Sequence, residues 1–268
     1  MRLLGFLALF PTLLIGQDAG ELMRRAIEID RSRLEASREY SFVQRQEVRQ
    51  VDGSGTARST DNRTFEVVLL DGSPYRRLVA RNDKPLSPQE QKFEQDRLER
   101  ALADRRKEPP EQRARRVAEW RQKQEHQREP VKEFPQAFAF RLAGEENRGG
   151  EAVWVIDATP KPGYKPKSTT TSFFPKVKVR FWLRKQDCQW VRLEMETMDT
   201  ISFGGILLRL SKGSHMVMEQ VRVGDDVWAP KTVSVDALGR ILLVKGMHRE
   251  YLWDFSAYRK TPTEPSGE

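Results

Sequence analysis

Apolar and polar residues alternate with period two from Val177 to Val235. In VKVRFWLR, Val177, Val179, Phe181 and Leu183 fall on one face and Lys178, Arg180, Trp182 and Arg184 on the other. That is the signature of a half-buried strand, because successive side chains of a strand point to opposite faces. QWVRLEME, ISFGGILLRL, HMVMEQVRV and DVWAPKTVSV repeat the pattern, with RKQDCQ, TMDT, SKGS and GDD between the runs. The segment therefore predicts an antiparallel meander, with a bulge at Gly204-Gly205. A sheet of this length with one apolar face needs a cover. What covers it, and whether the space beneath is filled, is the functional question.

The rest of the chain supplies more strands and candidate covers. Asp18 to Ala36 reads as a helix capped by Asp18, with Leu22, Ala26, Ile29 and Leu34 as its apolar stripe. Tyr40 to Val51 predicts a long strand ending in the turn Asp52-Gly53-Ser54-Gly55. Thr64 to Leu70 and Tyr75 to Ala80 predict a hairpin around Asp71-Gly72-Ser73-Pro74, with Pro74 at a turn or edge because it cannot donate to a ladder. Strands resume at Phe138 to Ala143 and Ala152 to Ala158, split by GEENRGGE, and Gly239 turns the chain into a last strand, Ile241 to Phe255. The whole predicts an α+β chain, mainly antiparallel β, with about ten or eleven strands.

Two segments break the alternation. Residues 86–130 are highly charged and helical, opening on the capping box Ser87-Pro88-Gln89-Glu90. A first helix runs to about Lys107, Glu108-Pro109-Pro110 breaks it, and a second runs to about His126. Phe93, Leu98, Leu102, Val117 and Trp120 are too few for a full stripe, so this insertion touches the sheet along a narrow seam. It is a solvated excursion, a lid over a cavity or a basic docking arm. The loop Thr159 to Ser172 is rich in Pro, Lys and Thr and reads as no part of the core; loops of this length are often functional.

Met1-Arg2 gives a positive start, and Leu3 to Ile15 is an apolar run broken by Gly5 and Pro11. The run is short of the roughly 20 residues that span a bilayer, and with the small Gly16 it predicts a signal peptide over residues 1–16. Ala19 is a second cleavage position. No cysteine follows the run for a lipid anchor, and no later run is long enough to span. A soluble periplasmic protein is expected, with one domain over residues 17–260 carrying the insertion 86–130, and a disordered tail over 261–268. The single Cys188 excludes an internal disulfide. The net charge of +8, on an exported chain, points to anionic lipid head groups or an acidic envelope protein. RNA-recognition and zinc-finger spacings are absent, so no nucleic-acid partner is expected.

The search for chemistry is negative. His126, His215 and His248 lack HExxH or carboxylate–His ligand spacing, and no Cys-x-x-Cys occurs. Ser202-Phe203-Gly204-Gly205 is not a nucleophile elbow, and Gly53-Ser54-Gly55 is not a phosphate loop. Glu194 and Glu196 lie on one strand face beside arginines, which suits surface ion pairs. Asn62-Arg63-Thr64 fits a glycosylation sequon. No catalytic residue, metal site or cofactor is expected.

The phrases RFWLRKQDCQWVRLEME, KGSHMVMEQVRVGDDVWAPKTVSV and LWDFSAYRK resemble the outer-membrane lipoprotein-sorting (LolA-like) family, over about Phe138 to Lys260. The resemblance implies a curved half-barrel sheet with covering helices, and an apolar cavity that receives acyl chains of a lipid or lipoprotein. The lining candidates are Val179, Phe181, Leu183, Val191, Leu193, Met195, Met216 and Met218; the other reading is that they form the core under the helices. Lys161, Lys165 and Lys167 are the candidate basic contacts. Two functions follow: a non-enzymatic periplasmic carrier or binding protein, or a cell-envelope structural or interaction protein with a filled core and a basic docking surface.

Overall fold

Helix α1 (Ala19–Ser37) begins where the Asp18 carboxylate accepts from the Gly20 backbone N–H at 2.9 Å. The computed structural model describes residues 18–203, 208–241 and 245–261. The expected signal peptide, the Gly204-Gly205 bulge and nearly all of the expected tail lie outside them. The stripe holds where it is described: Leu22, Met23 and Ala26 are buried and Ile29 packs beside them.

Strands β1 (Tyr40–Val51) and β2 (Ala57–Leu70) are joined by the predicted turn, whose Asp52 carboxylate accepts from the Ser54 and Thr56 N–H groups. β2 and β3 (Ser73–Arg81) meet through Asp71 and Gly72, at φ 45° and 80°. Two left-handed residues give the hairpin turn whose twist matches the strands. The two-residue β4 (Lys84–Pro85) finishes this edge. Asn62 of the sequon is buried in β2, its amide donating to Asp83 at 2.7 Å, which leaves no room for a glycan.

Helix α2 (Pro88–Lys107) opens on the predicted capping box, formed in both directions between Ser87 and Glu90. Helix α3 does not stop near His126 but runs over Pro110–Ala137, with Pro130 and Pro135 inside it. Burial overrides the prolines: Ala137 is fully buried, and Phe134 stacks on Phe138 at 4.8 Å and meets Phe174 at 5.1 Å.

The remaining strands are β5 (Phe138–Arg148), β6 (Glu151–Pro160), β7 (Val177–Arg184), β8 (Trp190–Thr197), β9 (Ile201–Phe203), β10 (Leu208–Leu210), β11 (His215–Arg222), β12 (Trp228–Ile241) and β13 (Lys245–Lys260). β5 continues through most of GEENRGGE, because only Gly149 and Gly150 take the left-handed turn. Every ladder is antiparallel, and they form one open, curved sheet in the order β4-β3-β2-β1-β13-β12-β11-β8-β7-β6-β5. Among the described residues thirteen strands stand against the ten or eleven expected, because β4 is very short and ISFGGILLRL divides into β9 and β10.

That division changes the meander. β8 pairs directly with β11, and the β9–β10 hairpin lies off the path with β10 against β12. Gly239 is not a turn but sits inside β12, opposite Leu210. A Cβ there would lie 2.0 Å from the Arg209 carbonyl oxygen, so the hairpin docks only on a glycine.

The core lies between α1, the end of α3 and strands β5–β8. Val177, Val179, Phe181 and Leu183 all point into it, as the alternation predicts. The loop after β6 is not merely solvated: Tyr164 packs on the core, Thr171 is buried, and Phe174 joins the aromatic cluster with Phe134 and Phe138. The opposite face of β7 carries a second, smaller cluster of Val153, Val155 and Trp182. Arg148 and Arg192 stack over the Trp182 ring, and its indole N–H donates to Glu146 at 2.9 Å. No helix among the described residues is long and apolar enough to cross a membrane.

Candidate functional site

The inward faces of α1 and α3 change character along their length. On α1 the sheet-facing series runs Met23, Ala26, Ile27, Asp30, Arg33 and Ser37, apolar first and polar later. On α3 it runs Trp120, Gln124, Arg128, Val131 and Phe134, polar first and apolar later. The spacings of three and four keep each series on one helical face. Asp30 pairs with Arg128 and Arg38 with Glu125, so the helices run in opposite senses and their polar portions coincide. Polar heads do not close-pack against an apolar sheet, and a void opens beneath them.

The void has two compartments. The larger, of about 500 Å³, lies between these helices and strands β1–β3, β8 and β11–β13. Phe42, Val67, Leu69, Trp228, Phe255 and Tyr258 supply its apolar floor and Trp120 part of its roof. The smaller, of about 200 Å³, is bordered by Met23, Ile27, Val131, Phe134, Phe181 and Leu193. Asp30, Arg128, Trp190 and Met218 border both.

Asp30 organises that partition. It accepts from the Trp190 indole N–H at 2.9 Å and pairs with Arg128. Burial pushes the Arg128 guanidinium down from its ordinary range, and the Asp30 carboxylate supplies its counter-charge. On the floor, Phe42 lies 5.8 Å from Phe255 and 5.4 Å from Tyr258 between ring centres. The Tyr258 hydroxyl donates to the Pro230 carbonyl at 2.6 Å, and burial pushes its pKa well above the usual phenol value. It is a neutral donor across the physiological range.

The cations of the larger compartment differ in their partners. Arg33 donates to Asp187 at 2.9 Å and to Gln189 at 3.0 Å. Arg38 pairs with Glu125 at 3.0 Å and lies over the Trp120 ring, tying α3 to the start of β1. Arg76, on β3, donates through one nitrogen to the side-chain oxygens of Gln44 (2.9 Å) and Gln46 (3.3 Å) and lies 4.1 Å over the Phe65 ring.

The candidate lining residues separate into three groups. Val179, Phe181 and Leu183 are buried in the packed core, and Phe181 also borders the small compartment. Leu193 borders the small compartment and Met218 both; Met195 packs on the core beside Val179 and is the cross-strand partner of Met216. Val191 is on the other side of the sheet, against Val153, Val155 and Trp182. A register shift between Trp182 and Leu183 places Trp190 opposite Leu183, so Trp190 takes the inner position and Val191 is turned outward. Lys161, Lys165 and Lys167 are exposed on the loop after β6, and none borders either compartment. Lys161 donates instead to the Pro135 carbonyl at the end of α3.

Most of the larger compartment escaped the sequence reading: Phe42, Arg76, Trp120, Trp228, Phe255 and Tyr258 come from five elements far apart in the chain. The lone Trp120 in a charged helix was the one local sign of an inward face. Glu194 and Glu196 are ion-paired on the outer face, with Arg192 and with Lys178. His248 lies 2.7 Å from Asp236. Among the described residues no three His, Cys, Asp or Glu side chains are placed to hold a metal ion.

No protein-family model matches the chain, and no curated protein matches it. Among solved structures it is similar to a putative outer membrane lipoprotein-sorting protein domain from Vibrio parahaemolyticus, at 12% identity over 91% of this chain and 95% of that one, TM-score 0.37. It is also similar to a DUF1329 family protein from Desulfovibrio piger, at 11% identity over 91% and 93%, TM-score 0.34. A LolA superfamily protein from Nitrosomonas europaea matches at 12% identity over 92% and 95%, TM-score 0.30.

Proposed function

We propose that this chain is a non-enzymatic carrier or binding protein for lipid or lipidated ligands, acting in the periplasm after export. The observation that carries this reading is the two-compartment void between helices and sheet. Its main chamber, about 500 Å³, is within the usual range for ligand sites, and its floor is apolar and aromatic. An acyl chain laid on that floor removes apolar surface from water at about 25 cal/mol per Å², less the cost of association, which gives a dissociation constant of micromolar order. The other reading, an envelope interaction protein with a filled core, is favoured by the tight packing of the β5–β8 half, but that half is only part of the sheet.

The test is direct. Trp120, Trp190 and Trp228 all border the larger compartment, so a bound chain changes intrinsic fluorescence. Titration with a fluorescent long-chain fatty acid is expected to saturate at micromolar concentration, with energy transfer from these tryptophans. The absence of saturable binding at about ten times that concentration transfers the function to the envelope-interaction reading.

A further inference from the structure

Four arginines, Arg33, Arg38, Arg76 and Arg128, line the larger compartment; of the two acidic residues at its border, Asp30 faces them and Glu219 turns its carboxylate to Arg192 and Arg148 beside Trp182. Three of the four have carboxylate partners: Asp187 for Arg33, Glu125 for Arg38 and Asp30 for Arg128. Arg76 differs. Among the described residues its acceptors are two neutral amide oxygens, both reached by the same nitrogen, so most of its five N–H donors stay available. It sits at the β3 end of the compartment with its guanidinium over Phe65, solvent-accessible on one side. Partial desolvation pushes its pKa down from the ordinary value, as fits a cation whose neighbours supply no negative charge. A planar guanidinium with a free fork of donors matches an oxyanion, carboxylate or phosphate, in bidentate geometry.

The position of Arg76 sets the shape of the occupant. From β3 to β8, where Trp190 and Leu193 lead into the small compartment, the sheet order passes β2, β1, β13, β12 and β11. Six strand spacings amount to roughly 29 Å measured along the curved sheet, and the direct path across its concave side is shorter. The floor between is apolar, and the most apolar walls, Met23, Ile27, Phe134 and Phe181, are at the far end. We propose that the occupant is a single-chain amphiphile with an oxyanion head, its head held by Arg76 and its alkyl tail running across the sheet toward Phe181. This rests on the binding reading above and adds to it a head-group class and a direction.

The experiment follows intrinsic tryptophan fluorescence of the full chain titrated with hexadecanoate, hexadecyl phosphate, hexadecanol, hexadecyltrimethylammonium and inorganic phosphate. Wild type is compared with Arg76→Gln and Arg76→Lys. Wild type is expected to bind both anions about tenfold more tightly than the alcohol, the scale of a charge-assisted hydrogen bond. The cation is expected to bind most weakly, and inorganic phosphate alone not measurably. Arg76→Gln should bring the anions close to the level of the alcohol, and Arg76→Lys should keep part of the preference. In wild type the preference should shrink as salt rises, since the head is near solvent. Equal wild-type affinities for anion and alcohol, or an anion preference that survives Arg76→Gln, would overturn the head-group assignment while leaving the binding reading intact. Inorganic phosphate binding as tightly as hexadecyl phosphate would make Arg76 a plain anion site and overturn it too. If no alkyl probe binds wild type, the binding reading itself fails. Should Arg76→Gln not fold, the wild-type salt dependence and Arg76→Lys carry the decision.

Discussion

The two halves of this sheet share one architecture and differ in what lies on them. Over β5–β8, Leu22, Met23, Ala26, Phe134 and Phe174 meet Ile156, Val179, Phe181 and Leu183, and the space is filled except for the small compartment beside Phe181. Over β1–β3 and β11–β13, the floor is as apolar, with Phe42, Val67, Leu69 and Phe255, but the roof presents Trp120, Gln124 and Arg128. Filling is thus decided by the cover and not by the sheet. A floor of this kind stays open when the residues above it carry polar heads that must keep their own partners. The division also separates two demands: the packed half supplies stability, and the other half is free to stay hollow.

The sharpest way to break this comparison is to truncate one phenylalanine in each half. Phe138→Ala removes a fully buried ring from the packed half, and a loss of about 3–5 kcal/mol is expected. Phe255→Ala removes a ring that already borders empty space, and about 1 kcal/mol is expected, because few close contacts disappear. Urea unfolding of both variants measures the difference. Equal losses would mean that the hollow half is as tightly packed as the other.

How much of this was legible in the sequence follows the same divide. Alternation in VKVRFWLR is a local property, and it put Val179, Phe181 and Leu183 on the inner face without knowledge of any partner strand. One bulge was enough to defeat it next door: Val191 obeys the parity of its own run but not that of the ladder, and Trp190 took its place. The capping box and the Asp52 and Asp71 turns were readable because their chemistry lies within five residues. The hollow half was not, since Phe42 and Phe255 meet only when the ends of the chain pair as β1 and β13. The cations that border the void were hidden for a related reason. Lys161, Lys165 and Lys167 stand out by local density, whereas Arg76 is one arginine among many until its lack of a carboxylate partner is visible in space.

A second prediction tests whether the compartments act together. Leu193→Trp places a large ring at the wall of the small compartment, below Met23 and Phe134. The tail of a sixteen-carbon ligand then loses its terminal site, and about a tenfold loss of affinity is expected, roughly 1.4 kcal/mol. A ten-carbon ligand, lodged in the larger compartment, should keep its wild-type affinity. Fluorescence titration with both chain lengths checks this. An equal loss for the two would mean that the substitution disturbs the whole void and that the small compartment has no separate role.

The smallest expected effect concerns Tyr258 at the floor of the hollow half. Burial raises the pKa of this phenol in the folded chain, while in the unfolded chain it ionises near the ordinary value of about 10. The folded state therefore binds the proton more tightly, and its contribution to stability is complete below about pH 10 and declines as the pH rises beyond it. Tyr258→Phe removes that decline together with the hydrogen bond to Pro230, worth about 1 kcal/mol. At neutral pH the variant should be less stable by about that amount. The gap between the two proteins should narrow as the pH is raised from about 9 to about 11, because only wild type still carries the phenol. Other tyrosines and lysines titrate in both proteins, so the difference between their urea midpoints isolates Tyr258. A gap that is constant or widens with pH would mean that Tyr258 is as hydrated as in the unfolded chain. The floor beneath Phe42 and Phe255 would then be wet, and the hollow half would hold water in preference to an alkyl chain.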